Sequence, residues 1–551
     1  MTLAHTVAPE PTTTKTHRNA RVCTVLLLFV LALGLFVRVY RLGSWPSLFF
    51  DEATPGVRAS RVLRYGWDYM MGNRLYFSPY YVLVQIPAVA ALGNTLIALR
   101  LSSLVNGLLC ILAAYATGRR LWDPGRALMA AAVAAILPLS VVIGGRLAWE
   151  PSLAFPLVAW ALYFAVVAGQ RRSVAAAAAS GILLALSSYA HPAALLAVPG
   201  LVLGTILSGK VRVYWRESVV AMLLFVVLSF PSTTFIRQVS ATGSVNVSVF
   251  TDVPNEIADK RLTNPCSPLA IGENIFRTLD QWTGAVTTQF FLGALQEPWS
   301  LPVKLVRAGC VGLWLVMLVV AARHGAIGRF MVGHMLGVFV AAHIFHPGFV
   351  SLPHKGRYLL ATAVMIPLLV TFVAKAGGDR LSRLGRHAVY TMLAVWVGVA
   401  VVMVSFIYRN IVCDQMVMTT AIGDPNKAAS DYLLQHVDLE RDLVLTPWYG
   451  AWPLKYYSAD QLPLFTSITK SETEPVRVPD WDTIEKVWWL RIGDSERPPF
   501  PADLVQQYEA RGDPGRLYTI WIAHDTADAI AWAIADYQAE LEKLHEAPGE
   551  H

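Results

Sequence analysis

Two adjacent carboxylates, Asp51 and Glu52, stand in the segment PSLFFDEATPG, directly after a long apolar run. A carboxylate that accepts the proton of an attacking hydroxyl group helps this weak nucleophile to react, so an acidic side chain here is a candidate general base. The alternative is a solvated loop, because Asp and Glu are mostly exposed in proteins. If the segment is extended, neighbouring side chains alternate, and Glu52 then points away from Asp51 and tolerates replacement by Gln.

Further polar side chains that suit catalysis also lie beside apolar runs. Arg146 and Glu150 stand in GGRLAWEPS, and His191 stands in SYAHPA. Each has a structural alternative, since Arg146 and Glu150 fit an ion pair that braces a turn and His191 fits a helix start. A third group in HPGFVSLPHKGRYLL comprises His346, His354, Lys355, Arg357 and Tyr358. Lys and Arg stabilise a departing phosphate, although they also fit side chains that extend to a membrane interface.

Composition indicates which elements must position these residues. Hydrophobic residues make up 55% of the 551 residues, charged residues make up 15%, and the mean hydropathy is +0.46. These values are typical of a polytopic membrane protein. The 5 cysteines include no CxxC or Cys/His cluster, so neither a zinc site nor a disulfide-rich scaffold is indicated. The sequence contains no GxGxxG or GxxxxGK[ST] motif that would indicate a nucleotide site.

Hydropathy predicts about eleven membrane-spanning helices. The first, around Val22–Val39, lacks an A-x-A cleavage site, so we expect it to remain uncleaved. The spans are predicted at 22–42, 95–118, 127–144, 151–169, 174–190, 192–208, 217–235, 302–322, 328–346, 358–375 and 387–408.

The short loops on one side of these spans are all basic. Because cytosolic loops are enriched in Lys and Arg, this bias predicts a cytosolic N-terminus and an extracytoplasmic C-terminus. The net charge of +7 is thus explained by topology, and we expect no nucleic-acid partner. The basic residues are Arg119, Arg120, Arg126, Arg171, Arg172, Lys210, Arg212, Arg216, Arg323, Arg329, Lys375, Arg380, Arg383 and Arg386.

The remaining segments complete a mainly α architecture with three parts. Residues 1–21 form a polar, disordered cytosolic N-terminus, and residues 22–408 form a transmembrane helical bundle with outer loops at 43–94 and 236–301. Within the first loop, Pro79–Gly93 is too short to span and reads as an interfacial helix. Residues 409–551 form a small α/β extracytoplasmic domain, with helices near 426–437 and 527–546 and strands near 442–446, 486–492 and 517–523. Cys266 and Cys413 both lie on the outer side, which permits a disulfide.

The acidic pair also carries a resemblance to a known family. RVYRLGSWPSLFFDEA, followed by SPYYVLVQIPAVAALGNTLIALRLSSLVNGLLCILAAYATGRRLW, resembles the GT-C membrane glycosyltransferases. The similar branch contains the protein O-mannosyltransferases and the lipid A aminoarabinose transferase. The resemblance covers the chain up to about residue 200, weakens through 210–340 and returns at HKGRYLL. Its most specific element is the acidic pair, followed by an interfacial helix and ALRL.

The resemblance implies roles for individual residues. Asp51 takes the position of the catalytic carboxylate, and Glu150 takes the second acidic position, with Arg146 as its basic neighbour. The lipid A branch has a Lys-Pro-Pro element where this chain has NRLYFSPYY, so Phe77 replaces the lysine and Arg74 is the candidate substitute. The predicted site comprises Asp51 (catalytic), Glu150 and Glu52 (second acidic, acceptor or metal-binding), Lys355, Arg357, Arg74, His354 and Tyr358 (donor phosphate), and Arg146 and His191 (supporting).

The function implied is sugar transfer from a lipid-linked donor. Members of the family use polyprenyl-phosphate sugars and transfer them outside the cytosol with inversion. A physical argument agrees, since nucleotide sugars are cytosolic and an outer site needs a sugar that arrives attached to a lipid. We expect a hexosyl- or pentosyltransferase of the bacterial inner membrane, in contact with membrane lipids, whose acceptor is a hydroxyl of a glycolipid, glycan or protein. Mg²⁺ or Mn²⁺ bridging Asp51 or Glu150 to phosphate is compatible with oxygen ligands.

Three alternatives remain open. A transporter or flippase of lipid-linked glycans needs ionisable residues at mid-membrane, whereas the spans are almost free of charge, with His334 as the main exception. An O-antigen ligase or polymerase is also multispanning with a large outer loop, but it does not need the early acidic pair. The last alternative is a non-enzymatic scaffold of the cell envelope.

The basic loops generate a topology prediction. A reporter that is active only outside the cytosol, fused after His551, should be active, because the charge bias assigns the C-terminal domain to the outer side. Enzymatic activity of the reporter in intact cells is the measurement. Activity of a cytosol-dependent reporter at the same position would contradict the topology and remove the basis for an outer site.

Overall fold

The computed structural model describes residues 13–40, 42–43, 48, 50–66, 79–148, 150–241, 301–345, 360–380, 424–446, 448–465, 480–493, 498–509 and 517–546. The predicted span at 387–408, both cysteines of the suggested disulfide, Cys266 and Cys413, and most of the outer loop 236–301 lie outside these ranges.

The N-terminal two thirds of the described chain is helical. Five of its helices are long and apolar enough to cross a membrane, judged by length and composition, and six more apolar helices are shorter. A polytopic helical bundle with a small C-terminal sheet is therefore confirmed. The helices are α1 Thr13–Val39, α2 Phe50–Tyr65, α3 Pro79–Leu92, α4 Leu96–Leu121, α5 Pro124–Ile136, α6 Pro138–Gly145, α7 Glu150–Arg171, α8 Val174–Ala190, α9 Ala197–Leu207, α10 Val211–Ala241, α11 Leu301–Arg323, α12 Gly325–Phe345, α13 Leu360–Ala363 and α14 Ile366–Arg380.

Proline divides two spans that hydropathy predicts as continuous. The predicted span 127–144 is two helices, α5 and α6, separated at Leu137 because Pro138 has no backbone N–H and disfavours helical geometry in the residue before it. The predicted span 192–208 begins as a 3₁₀ turn over Pro192–Leu196 before α9.

The acidic pair lies in a helix and not in the extended segment that the sequence analysis considered. Asp51 and Glu52 belong to the first turn of α2, which runs through Pro55 to Tyr65. Successive residues of a helix diverge by about 100° rather than alternating between two faces. The expectation that Glu52 tolerates Gln assumed an extended segment, and this assumption is wrong because the segment is helical.

Two buried arginines hold the ends of helices. Arg38, near the end of α1, donates from Nη1 to the Ala135 carbonyl (2.9 Å) and from Nη2 to the Ser140 hydroxyl (3.1 Å) across the α5–α6 break. Arg146 in turn donates from Nη1 to the carbonyls of Val37 (3.2 Å) and Tyr40 (2.9 Å) at the end of α1. The last carbonyls of a helix lack intrahelical donors and need partners where water is absent. These guanidinium groups therefore stabilise both helix ends.

The basic loops gather at one end of the bundle. Gln170 donates to the Arg120 carbonyl (2.7 Å), Arg172 pairs with Glu217 (3.2 Å), and Arg329 donates to the Leu207 carbonyl (3.1 Å). These contacts join the end of α4 to the end of α7, the end of α7 to the start of α10, and the end of α9 to the start of α12.

The C-terminal part is a small α/β unit. Its strands β1 Asp442–Leu445, β2 Leu464–Phe465, β3 Lys486–Gly493, β4 Ala502–Glu509 and β5 Leu517–Ala523 form one sheet in the order β2-β1-β3-β5-β4. The pairs β1–β2 and β1–β3 are parallel, whereas β3–β5 and β4–β5 are antiparallel. Helices α15 Pro425–His436 and α16 Trp448–Tyr457 pack on one face and α17 Thr526–Glu546 on the other. Strands β2 and β4 and helix α16 were not predicted from the sequence.

Glycines allow α9 and α12 to pack closely. A Cβ at Gly333 would lie 2.7 Å from Gly204 Cα and 2.8 Å from the Leu203 carbonyl, both backbone atoms that have no side-chain freedom to move away. A Cβ at Gly312, in α11, would have no atom within 4 Å.

This contrast gives a stability prediction. Gly333→Ala should destabilise the bundle by about 1–3 kcal/mol, because the added methyl group forces the helices apart. Gly312→Ala should be neutral or stabilising by up to about 1 kcal/mol, because it only reduces backbone freedom. Thermal unfolding of both purified variants is the measurement. Equal midpoints for the two variants would contradict the tight α9–α12 contact.

Candidate active site

A buried ion pair lies beside the candidate catalytic residue. Glu52 accepts from Arg100 through two contacts, Nε to Oε1 (3.0 Å) and Nη2 to Oε2 (2.8 Å), and both side chains are 0% exposed. Arg100, in the first turns of α4, also donates to the Leu42 carbonyl (3.1 Å). This bidentate pair joins α2 to α4 and to the chain that leaves α1.

The same carboxylate holds the turn before α7. The backbone N–H of Ala148 donates to Glu52 Oε1 (2.8 Å), and the Tyr81 hydroxyl of α3 donates to the Ala148 carbonyl. Beside it, Ser103 donates to the Leu147 carbonyl (2.8 Å). The turn is therefore fixed by α2, α3 and α4 together.

These contacts bring the two predicted acidic positions into one region. Asp51 directly precedes Glu52, and Glu150 follows Ala148 by two residues, so the contact between Glu52 and Ala148 places their backbones close together. Each stands in the first turn of a helix, Asp51 in α2 and Glu150 in α7. The positive end of the helix dipole favours a carboxylate at such a position. The side chains of both residues lie outside the described part of the structure.

The two supporting residues have structural contacts. Arg146 is fully buried and holds the end of α1 as described above. His191 ends α8, where its N–H donates to the Ser187 carbonyl (3.1 Å) and its carbonyl accepts from Ala194 N–H (3.0 Å). Its side chain is buried.

The predicted phosphate-binding group lies outside the described residues. This applies to Arg74, His354, Lys355, Arg357 and Tyr358, and to His346 from the same sequence segment. The chain is described again from Leu360, where α13 packs against α6 and α7. The segment HKGRYLL thus leads into a helix that contacts the helix before Arg146.

The described residues contain no group of three His, Cys, Asp or Glu side chains suited to a metal ion. Glu52 already accepts hydrogen bonds from protein groups on both oxygens, an arrangement that suits a positioning residue better than a metal ligand. Of the carboxylates predicted from the sequence to bind metal, Asp51 and Glu150 have side chains outside the described part of the structure.

A cavity of about 360 Å³ lies elsewhere, between α4, α7, α8, α9, α10, α12 and α14. It is mostly apolar, and its polar lining includes Gln170, Lys210 and Glu217 at the end where the basic loops meet. Glu217 is paired with Arg172 there. None of the lining residues belongs to α2 or to the turn before α7, so this cavity is distinct from the acidic region.

Sequence reasoning missed the residues that build the acidic region. Arg100 was present in the ALRL segment of the resemblance but received no role. Arg38 lies within a predicted span, so the spans are less free of charge than the sequence analysis held. An arginine inside an apolar helix was the available signal for a buried polar contact.

The ion pair predicts a large stability effect. Arg100→Met should destabilise the protein by about 3–5 kcal/mol, because it leaves the Glu52 carboxylate buried without its countercharge. Lys427→Met is the control, since Lys427 pairs with Asp431 on the surface and such pairs contribute about 0–1 kcal/mol. Denaturant or thermal unfolding of both variants is the measurement, and similar losses would contradict the special role of the buried pair.

Comparisons with known proteins agree with this architecture. Residues 79–236 match a family model described as dolichyl-phosphate-mannose-protein mannosyltransferase. No protein with a curated description matches the chain.

Two solved structures of ArnT from Cupriavidus metallidurans share the fold at 14% sequence identity. For the apo structure the TM-score is 0.55, and the match covers 91% of this chain and 98% of the ArnT chain. For the structure bound to undecaprenyl phosphate the TM-score is 0.53, and the match covers 90% of this chain and 98% of the ArnT chain. The oligosaccharyltransferase AglB from Archaeoglobus fulgidus, in complex with an inhibitory peptide and a dolichol-phosphate, is 12% identical and covers 86% of this chain and 70% of its own. Its TM-score is 0.46, which is too low to indicate a shared fold. This chain therefore has the GT-C type membrane fold, and its residues 79–236 match a mannosyltransferase family model.

Proposed function

We propose that this protein is an inverting membrane glycosyltransferase that moves a sugar from a polyprenyl-phosphate donor to a hydroxyl acceptor. The observation that carries the proposal is the contact between Glu52 and the Ala148 N–H, which joins the acidic turn of α2 to the acidic turn of α7. The family match over residues 79–236 and the shared fold support the same class of reaction.

Asp51 acts as the general base. Its carboxylate takes the proton of the acceptor hydroxyl while the hydroxyl oxygen forms a bond to C1 of the sugar. The bond from C1 to the phosphate oxygen breaks, and its electron pair leaves with the lipid phosphate, on the face opposite to the attack. The role requires the ionised form of the carboxylate, which is the ordinary form of an Asp side chain near neutral pH.

Fixed cations stabilise the departing phosphate. Lys355 and Arg357 take this role, with Arg74, His354 and Tyr358 as further donors, because charge-assisted hydrogen bonds to phosphate are strong. The segment's position just before α13, which contacts α6 and α7, supports its approach to the acidic region. If Mg²⁺ or Mn²⁺ takes part, Asp51 and Glu150 are the carboxylates that would hold it and it would neutralise phosphate charge.

Glu52 and Arg146 position the reacting groups instead of contacting substrate. Glu52 fixes the turn before α7, and Arg146 fixes the chain between α1 and α2. The reaction takes place on the extracytoplasmic face of the membrane. The separation of the basic loops from the acidic turns supports this side, since cytosolic loops carry the excess of Lys and Arg.

The transporter alternative receives less support. Its ion pathway requires charged groups that face a bundle interior or a water-filled cavity. Arg38 and Arg146 are buried, but their hydrogen bonds to the carbonyls of Ala135, Val37 and Tyr40 lie at helix ends. These arginines act as helix caps.

Asp51→Asn should lower sugar transfer by about 10²–10⁴-fold, because the amide keeps the size and polarity of the side chain but cannot take the proton. Transfer from a polyprenyl-phosphate sugar by the purified variant is the measurement, with donor binding determined separately. Asp503→Asn, at an exposed site on β4, is the control and should leave transfer unchanged. Near-normal transfer by a folded Asp51→Asn protein would show that the acidic pair has no catalytic role.

Lys355→Ala and Arg357→Ala should each weaken binding of the lipid-phosphate donor, since each removes a phosphate contact. Arg171→Ala, at the end of α7 where the basic loops meet, should leave binding unchanged. Titration of the three variants with the same donor is the measurement. Equal weakening in all three would remove the special role of the outer cations.

A further inference from the structure

The C-terminal unit docks directly on the helix that begins with the acidic pair. Arg61 of α2 pairs with Asp460 through two contacts, Nε to Oδ2 (2.7 Å) and Nη2 to Oδ1 (3.1 Å), and Arg64 donates to the Ala459 carbonyl (2.9 Å). Ala459 and Asp460 have φ values of +51° and +63°. Non-glycine residues adopt this left-handed conformation only where surrounding contacts compensate for its cost.

Helix α16 also enters the apolar core beneath α2. Trp452 and Tyr456 are buried in one cluster with Ala53 and Val57 of α2. A Cβ added at Gly56 would lie 2.6 Å from the Tyr456 ring, so glycine permits this approach. The Tyr456 hydroxyl donates to the Thr95 carbonyl (3.0 Å), and Asn94 donates to the Tyr456 carbonyl (2.7 Å). The contact therefore combines buried apolar side chains with specific hydrogen bonds.

One carboxylate of the C-terminal unit reaches the segment just before the acidic pair. Asp424 Oδ2 accepts from the Leu48 N–H (3.0 Å) and from the Tyr457 hydroxyl (2.6 Å), and Oδ1 accepts from the Asn426 N–H at the start of α15 (2.9 Å). The Asn426 side chain donates to the Leu48 carbonyl (3.0 Å). Leu48 is thus held through both of its main-chain groups, three residues before Asp51.

The side chains around Asp424 keep this arrangement intact. Asp424 is 4% exposed. Burial raises the pKa of Tyr457 well above its ordinary value, and the charge of Asp424 raises it further, so the hydroxyl stays protonated and continues to donate.

We propose that Asp424 is a positioning residue for the proposed glycosyl transfer, and that the C-terminal unit sets the position of the Asp51 carboxylate by holding Leu48. The proposal rests on the proposed function for its catalytic consequence. Its structural part stands on the Asp424 contacts alone. This positioning would give the C-terminal unit a direct part in the reaction, because small displacements of a reacting group lower the rate strongly.

Asp424→Asn is the informative variant. Asn caps a helix about as well as Asp, so α15 keeps its start. In this variant the amide oxygen keeps the place of Oδ1 and still accepts from the Asn426 N–H. The amide NH2 group then takes the place of Oδ2, and because it is a donor it cannot accept from the Leu48 N–H, so the hydrogen bond to Leu48 is lost. Tyr457→Phe removes only the second contact to Oδ2. Asp431→Asn is the control on the same helix, because Asp431 pairs with the exposed Lys427.

The full-length protein is measured in two ways. Hydrogen exchange of the Leu48 amide reports the contact without any need for activity, and steady-state kinetics with a polyprenyl-phosphate sugar report its consequence. Asp424→Asn should speed exchange at Leu48 and lower kcat by about 10–100-fold with little change in the KM for donor. Tyr457→Phe should give a smaller change in the same direction, and Asp431→Asn should give none.

The outcomes separate the two proposals. Unchanged exchange at Leu48 in a folded Asp424→Asn protein overturns the positioning role, whatever the activity. Faster exchange with unchanged kcat also overturns it, because the contact then has no catalytic effect. If the wild-type protein transfers no sugar from such donors, the proposed function and this catalytic role both fail, while faster exchange still establishes the contact to Leu48.

Discussion

The buried ion pair between Glu52 and Arg100 is the contact on which the acidic region depends. Both side chains are shielded from solvent, so neither can lose its partner without leaving a charge in an apolar environment. Glu52 binds the turn before α7 as well, and Arg100 binds the chain after α1. The chain after α1, the start of α2, the start of α4 and the turn before α7 therefore meet around this ion pair.

Main-chain carbonyls at the end of α1 also need polar partners. These carbonyls lie where water is scarce, and every such group needs a donor. Arg146 and Arg100 supply donors to Tyr40 and Leu42, while Arg38 of the same helix serves the end of α5. These buried arginines thus supply donors to carbonyls at and just beyond helix ends.

Hydropathy and loop charge predicted the bundle and its basic end, because apolar length and loop charge are properties of single segments. The sequence also predicted the small C-terminal sheet, with three of its five strands. The break at Pro138 and the strand β4 were missed, since proline geometry and sheet partners outweigh hydropathy there. The sequence drew attention to Asp51, Glu52 and Glu150 as acidic positions, but it did not reveal that Glu52 would be buried against Arg100. Nor did it indicate that Asp424, an ordinary helix cap in sequence, would reach Leu48 across the chain. Contacts between distant segments have no local signal.

The proposed function places the chemistry between the first turn of α2 and the turn before α7. A structure of the full-length protein with bound polyprenyl phosphate tests this most directly. We expect the phosphate to lie beside Asp51 and Glu150, with Lys355 or Arg357 in contact with it. A phosphate bound instead in the apolar cavity near Lys210, at the end where the basic loops meet, would show that the chemistry does not take place beside the acidic turns.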